Sequence, residues 1–321
     1  MEWGHILDRE ERSNFMEEHR RIWAAQRGAI KRAEHQLLDH PKVLNDPLAL
    51  RIIGKDSDSI MDAEILQSEA SPLSPCLRAT TVVRSRFVED KLDLGVRRGV
   101  CQYVILGAGL DTFAYRNPYP EGILQVFEVD HPMTQAWKRD RLEESGITPP
   151  RDLTFAPIDF ETQTLMEGLS DAGYDPAKFT FFSMLGVTPY LTLEAVMATL
   201  GSIAMAPEGS EIVFDYMIRP SLLNPDQQSF FQAFSQKVAS AGEPWQTFFD
   251  PEVLKQDLRA MGYGHIEDNG PDEIDALYFK NRKDGLRVWK LTHLMNVRIG
   301  DAGHAAEHTP LGACGRTELI C

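Results

Sequence analysis

The sequence is poor in cysteine, and this narrows the classes of protein to which it can belong. Its four cysteines lie far apart among 321 residues. None forms a pair at metal-ligand spacing, and together they do not resemble a disulfide framework. We therefore expect no metal site and a reducing compartment, the cytoplasm.

The chain also lacks positive charge and long apolar runs. Its formal net charge is −15 at pH 7, so we expect no nucleic acid as a partner. Its apolar runs are shorter than the roughly 20 residues that span a bilayer, and residues 1–21 lack the apolar core of a signal peptide. We expect no membrane partner. The sequence does not define an oligomeric state.

Strand-like and helix-like segments alternate along the second part of the chain. Five strand-like runs lie at 102–106, 123–129, 152–158, 179–185 and 210–217. Helical stretches separate them, which predicts an α/β, doubly wound, Rossmann-like fold with helices on both faces of the sheet. Two closing strands, within 263–268 and 285–297, complete a mostly parallel seven-stranded sheet.

The order of these segments predicts three regions. Residues 1–95 are mostly helical and form an N-terminal cap or lid. Residues 96–300 form the nucleotide-binding core, with a helical insertion at about 218–249. Residues 301–321 match no pattern and are a candidate disordered tail.

Three residues, Gly107, Ala108 and Gly109, end the first strand abruptly. Glycines at such a turn let a ligand approach the backbone, and a following helix would present free N–H groups to it. A tight turn without a ligand is the simpler alternative. Thr112 stands where a dinucleotide fingerprint has its third glycine, which argues against a nicotinamide oxidoreductase.

Acidic residues follow the next two strands. Asp130, 21 residues after Gly109, is placed to accept hydrogen bonds from ribose hydroxyls. Asp159 could accept from an adenine amino group, and Phe160 could pack on the ring. The alternative for each aspartate is a cap on the helix that follows it.

Arg84 is unusual because it lies on the apolar stripe of its predicted helix, between Val83 and Phe87. A charge on a core-facing stripe needs an anionic partner. Two partners fit this position: a ligand carboxylate near the glycine turn, or an internal acid such as Asp111 or Glu128.

These motifs together resemble the leucine carboxyl methyltransferase family of class I S-adenosylmethionine (SAM)-dependent methyltransferases. The similar stretches are VILGAGLDTFAYR, FEVDHP, IDF and FFSMLGVTPYLT, within about residues 30–295. The resemblance implies that Gly107 packs beside the methionine part of SAM, with Ala108 and Gly109 completing the turn. It also implies that Arg84 holds the SAM carboxylate. By the same resemblance, Asp130 would bind the ribose, and the adenine would lie against Asp159 and Phe160.

The resemblance also indicates a branch of the family. The protein-methylating branch has glutamate before Gly-Val, whereas this chain has Leu185, which by this alignment is a candidate cofactor contact. The leucine favours the bacterial branch that methylates small molecules. Tyr190 and Tyr216 follow strands at the ligand edge and are candidate substrate contacts, and Trp23 is a candidate residue of the cap lining.

No residue is marked as a catalytic base, and a carboxylate acceptor needs none because it is already ionised. We therefore expect a SAM-dependent O-methyltransferase that acts on a small-molecule carboxylate in secondary metabolism. Two alternatives use the same scaffold. One is an enzyme that uses SAM for a non-methyl transfer or an intramolecular cyclisation. The other is a non-catalytic SAM-binding module.

Overall fold

The computed structural model describes residues 9–54, 59, 61, 65, 73–159, 162–240 and 245–300. Two predictions lie outside these residues: the role of Phe160 and the tail at 301–321.

A seven-stranded sheet forms the centre of the molecule, in the order β3-β2-β1-β4-β5-β7-β6. The strands are β1 Gln102–Leu106, β2 Gln125–Asp130, β3 Leu153–Pro157, β4 Thr180–Met184, β5 Glu211–Met217, β6 Tyr263–Asn269 and β7 Thr292–Ile299. Neighbouring strands are parallel except where β7 pairs with β5 and with β6. The predicted doubly wound, mostly parallel sheet is confirmed. The chain reverses its direction of travel across the sheet between β1 and β4, which is where such sheets bind ligands.

Helices flank the sheet on both faces, and several begin at recognisable caps. They are α1 Arg9–Leu38, α2 Ser74–Arg97, α3 Pro132–Glu144, α4 Leu165–Asp171, α5 Leu193–Ile203, α6 Pro225–Ser240, α7 Pro251–Ala260 and α8 Pro271–Tyr278. The Asp250 side chain accepts hydrogen bonds from Glu252 N and Val253 N, as expected for an N-cap followed by proline. None of the described helices is long and apolar enough to cross a membrane.

The apolar core lies on both sides of the sheet, because successive residues of each strand face opposite ways. On β5, Val213 packs in the cluster that contains Val83 and Phe87 of α2. Its neighbour Phe214 packs in the cluster on the other face. The boundary predicted at residue 95 falls inside α2, which covers the sheet directly.

The N-terminal helix packs beside the glycine turn and does not lie flat on the sheet. Ala29, Ile30 and Ala33 of α1 share a buried cluster with Leu110, which follows the turn. Arg32 Nη2 donates to Leu110 O at 2.6 Å. The helical cap predicted from the sequence therefore contacts the segment that carries the first motif.

The last strand is shorter than the sequence indicates. Residues 285–291 have strand-like composition, yet β7 begins only at Thr292. Val288 N donates to the Asp275 carboxylate at 3.0 Å, and Trp289 N donates to Thr80 Oγ1 at 3.0 Å. Side chains from α8 and α2 thus satisfy backbone groups that a strand would have paired.

Candidate active site

The glycine turn lies where β1 ends, at the edge of the sheet formed by the carboxyl ends of the parallel strands, hereafter the carboxyl edge. Gly107 has φ +67° and Gly109 has φ +42°, a region of the backbone map that favours glycine. Both Gly107 N and Ala108 N donate to Val129 O, at 2.9 and 3.0 Å. A Cβ at position 107 would lie 2.4 Å from Val187 Cγ2, so the turn is pressed against the segment after β4.

The helix expected after the turn is short. It is a 3-10 helix of four residues, Phe113–Arg116. Phe113 N donates to Asp111 Oδ1 at 2.7 Å, and Pro118 prevents continuation because it disfavours helical backbone at Asn117. The free N–H groups of a long helix are therefore not part of this site.

Asp130 joins the end of β2 to the glycine turn. Its Oδ2 accepts from Gly109 N at 2.6 Å, and its Oδ1 accepts from His131 N at 2.8 Å. The cap of α3 is His131, whose Nδ1 accepts from Met133 N at 3.4 Å. Asp130 thus orders the turn, and the cap role considered for it belongs to its neighbour.

Asp159 lies close to Asp130 at the same edge, just after β3. Ile158 N donates to Asp130 O at 2.9 Å, which ties the two strand ends together. The following helix, α4, is capped by Thr164 in a capping box with Glu167. The alternative in which Asp159 caps this helix is therefore wrong.

Arg84 lies at the carboxyl edge, but its internal partner is neither of the two acids considered. Arg84 Nη1 lies 3.3 Å from Asp215 Oδ2, and the two side chains are 20% and 9% exposed. The other oxygen of Asp215 accepts from Gly186 N at 2.5 Å. A Cβ at Gly186 would lie 2.6 Å from Arg84 Nη1, so the guanidinium rests on the backbone just after β4.

Glu128 forms a different buried pair, beneath the edge. Its Oε2 lies 2.7 Å from Lys138 Nζ, and both side chains are almost fully buried. Burial raises the pKa of Glu128 to about 7, although the attraction of Lys138 lowers it. This pair joins β2 to α3. Glu128 lies on β2, two residues before Asp130.

A buried polar network connects the first motif to the N-terminal region. Thr112 Oγ1 donates to Asp46 Oδ2 at 2.7 Å, and Arg116 Nε donates to Thr112 Oγ1 at 3.2 Å. Arg32 Nε lies 3.4 Å from Asp46 Oδ2. These contacts give the Asp-Thr and Tyr-Arg extension of the motif a structural role, which sequence reasoning did not assign.

The segment after β4 carries Leu185 and Tyr190. Leu185 is partly buried against the α2 face of the core, and Tyr190 ends a 3-10 helix, Thr188–Tyr190. Gln246 N donates to Pro189 O at 2.7 Å, and Gln246 Nε2 donates to Tyr190 O at 2.9 Å. The end of the helical insertion is thus docked on this segment.

Tyr216 does not join the other predicted site residues. It is 1% exposed and packs in the cluster on the sheet face opposite Asp215. Its hydroxyl donates to Asp268 Oδ1 at 3.0 Å and lies 3.2 Å from His293 Nδ1. This placement argues against the predicted substrate contact, because adjacent strand residues face opposite sides.

Trp23 lies on α1 and is 47% exposed. The guanidinium of Arg27 lies 4.9 Å from its ring centroid. Ala25, two residues on, comes close to the turn, because its Cβ would be 3.0 Å from a Cβ at Gly109. Trp23 therefore lies two residues before a contact with the glycine turn, and its ring is half exposed.

An aromatic cluster lies beyond the ion pair of Arg84 and Asp215. Its rings are Phe231, Trp245, Phe248 and Trp289. Neighbouring ring centroids are 5.4 to 6.1 Å apart. The cluster packs on Met217, two residues after Asp215 on the same strand face, and on Leu77, seven residues before Arg84. The cluster and the ion pair therefore share the space between α2 and β5.

Comparison with known proteins identifies the family. A sequence model described as leucine carboxyl methyltransferase matches residues 25–204. The chain belongs to the leucine carboxyl methyltransferase family. It is 33% identical to YktD of Bacillus subtilis (strain 168), a candidate S-adenosyl-L-methionine-dependent methyltransferase, over 84% of this chain and 95% of YktD.

Other relatives agree with this family assignment. A candidate SAM-dependent methyltransferase of Mycobacterium tuberculosis (strain ATCC 25177 / H37Ra) is 32% identical, over 81% of this chain and 79% of its own length. A solved DUF574 family protein of Streptomyces avermitilis has a TM-score of 0.51 at 15% identity and covers 78% of this chain and 94% of its own. This last likeness concerns the fold alone.

The protein is therefore a SAM-dependent methyltransferase with a class I fold. The described residues at the carboxyl edge suit this co-substrate chemically. Asp130 can accept from ribose hydroxyls, and the Arg84 guanidinium can pair with a carboxylate. The absence of side chains at 107 and 109 lets Val187 and Ala25 pack closely against the turn, which fixes its position at this edge.

Proposed function

We propose that this enzyme transfers the methyl group of SAM to the carboxylate of a small molecule in secondary metabolism. The cytoplasm is the proposed location, on the cysteine pattern of the sequence. The observation that carries the proposal is the position of Arg84: a partly buried guanidinium lies at the carboxyl edge, against Gly186 and beside the glycine turn.

The proposed placement of SAM follows the strand ends in order. Its methionine carboxylate pairs with Arg84 of α2, which lies against Gly186 after β4. Its ribose hydroxyls donate to Asp130 at the end of β2, and its adenine lies against Asp159 after β3. The turn at 107–109 lies between the methionine and ribose positions. The methyl group then faces the segment that carries Leu185 and Tyr190.

The surroundings of the acceptor favour an ionised acceptor. Residues 185–192, LGVTPYLT, contain neither histidine nor an acid, and the Asp215 carboxylate that reaches this segment already accepts from Gly186 N and Arg84 Nη1. Methyl transfer from a sulfonium needs a nucleophile aligned behind the methyl group and protected from water, and a carboxylate needs no base. Tyr190 is proposed to orient the acceptor.

The aromatic cluster indicates what else the acceptor carries. Aromatic rings and buried aliphatic side chains stabilise a flat or apolar body by burial of its surface. We therefore favour carboxylic acids with an aromatic or long apolar part over small hydrophilic acids. Rearrangement of the packed rings would make room for such a body.

The test is product analysis with methyl-deuterated SAM and a panel of aryl and long-chain carboxylic acids. The proposal expects S-adenosylhomocysteine (SAH) together with a deuterated methyl ester that alkali hydrolyses. Transfer of another SAM fragment, or consumption of SAM without an acceptor, would instead support an enzyme that uses SAM for a non-methyl transfer or an intramolecular cyclisation. SAM binding without turnover for every acid would favour the binding module.

The pH dependence of the chemical step separates acceptor classes. A carboxylic acid with a pKa of about 4 is ionised above about pH 6, so the single-turnover rate should be flat from pH 6 to 8. Tyr190→Phe should then lower the rate by no more than about tenfold. A rising limb near neutrality that disappears on mutation of one histidine would indicate a hydroxyl or amine acceptor.

A further inference from the structure

We propose that Asp215 binds the ammonium group at the methionine end of SAM, while Arg84 binds the carboxylate on the same carbon. The inference rests on the proposed placement of SAM at the carboxyl edge. It assigns a binding role to Asp215, and it treats the Arg84–Asp215 ion pair as a receptor for a zwitterion.

The position of Asp215 is the first observation. It is a buried charged residue near the end of β5, in the otherwise apolar run Ile212–Met217. Its oxygens accept one hydrogen bond each from Gly186 N and Arg84 Nη1. A carboxylate has about four acceptor positions, so these two bonds leave capacity for another donor.

The charge pattern of the ligand is the second step. The methionine end of SAM carries one positive and one negative group on a single carbon. A lone arginine would hold the carboxylate and leave the ammonium desolvated, which is costly. An adjacent anion and cation, with 3.3 Å between Arg84 Nη1 and Asp215 Oδ2, match both charges at once.

The surroundings place the pair beside the proposed ligand. Gly186 contacts the guanidinium, and its neighbour Val187 would contact a Cβ at Gly107. A Cβ at Gly28 of α1 would lie 4.0 Å from Arg84 Nη2, so α1 passes over the guanidinium. The pair therefore lies between the segment after β4 and the N-terminal helix, and Val187 connects that segment to the glycine turn. Charge interactions at such a partly buried position are stronger than in water.

A second ion pair between the same two elements provides a matched control. Glu211 begins β5, on the same strand face as Asp215, and its carboxylate accepts a hydrogen bond from Arg98 at the end of α2. Glu211 is 1% exposed. It lies at the opposite edge of the sheet, away from the glycine turn. Loss of its charge perturbs the same helix–strand contact without touching the proposed site.

The experiment measures the affinity of three ligands by calorimetry: SAH, an SAH analogue with hydrogen in place of the amino group, and one with hydrogen in place of the carboxylate. Asp215→Asn keeps an oxygen that can accept from Gly186 N and removes the charge. We expect it to weaken SAH and the decarboxylated analogue by about 10- to 100-fold. The deaminated analogue should bind the variant as well as it binds the unaltered protein.

Glu211→Gln should leave all three affinities within about twofold. If Asp215→Asn weakens the binding of all three ligands equally, Asp215 acts only by holding the segment after β4, and the inference is overturned. If it changes none of them, the inference is overturned as well. Failure of the unaltered protein to bind SAH would contradict the proposed placement of SAM itself, and this outcome is distinguishable from the two above.

Discussion

Replacement of Gly107 by alanine should damage both the fold and SAM binding, and the structure separates the two causes of the damage. At φ +67° an L-residue is strained, by about 1–2 kcal/mol. The new Cβ would also lie 2.4 Å from Val187 Cγ2, and overpacking of this kind costs about 1–3 kcal/mol. We therefore expect a total loss of about 2–5 kcal/mol in the free energy of unfolding.

Gly173 provides the matched control for this substitution. It has φ +83°, and a Cβ there would have nothing within 4 Å. Gly173→Ala should therefore cost only the backbone strain, about 1–2 kcal/mol. It should leave SAH affinity unchanged, because Gly173 follows α4, away from the carboxyl edge.

The assay combines denaturant unfolding with calorimetric titration of SAH. Gly107→Ala should lose at least about tenfold in SAH affinity, because the turn must move away from Val187. In the Gly107→Ala/Val187→Ala double variant, the clash should be relieved, with a favourable coupling of about 1 kcal/mol or more. Equal losses of stability at Gly107 and Gly173, with unchanged SAH affinity, would refute the reasoning.

Three further predictions follow from other parts of the site. Asp130→Ala should weaken SAM and SAH alike, because both carry the same ribose; if calorimetry shows neither affinity change, Asp130 only orders the turn. Burial raises the pKa of Glu128 from 4.5 to about 7, so the stability contributed by this group is present below pH 4.5. It is lost as the pH rises to 7, by up to about 3 kcal/mol. Glu128→Gln should abolish this decrease in the free energy of unfolding, measured with denaturant between pH 5 and 8. An unchanged pH dependence would contradict the raised pKa of Glu128. Hydrogen exchange should show protection within residues 15–40 when SAH binds, as expected of a lid; no protection there would contradict the lid.

The sheet could be predicted from the sequence because its signals are local. Buried strands such as 102–106 are short apolar runs bounded by turn residues, and the helices between them carry their own caps. The prediction that the last strand includes residues 285–291 is wrong because of tertiary contacts. Its apolar residues suit a strand, but its N–H groups bond to Asp275 and Thr80, and no local pattern reveals those partners.

The site could be predicted only in part, because its partners lie far apart in the chain. The apolar stripe around Arg84 correctly indicated the need for an anion, yet Asp215 lies 131 residues away. The sequence feature that could have identified Asp215 as the partner is an acidic residue inside an otherwise apolar strand. The same strand shows why Tyr216 was misplaced: residues 215 and 216 are consecutive, so only one of them can face α2.

The central claim is that Arg84 holds the carboxylate of SAM at the carboxyl edge, and calorimetric titration of SAM tests it most directly. The side chain is only 20% exposed and is paired with Asp215, so Arg84→Ala removes a partly desolvated charge partner. SAM affinity should fall by roughly 2–5 kcal/mol, which is about 30- to 5,000-fold. Arg98→Ala removes the arginine of the other α2–β5 ion pair and should leave SAM affinity unchanged. Equal SAM affinities for the unaltered protein and Arg84→Ala would contradict the account.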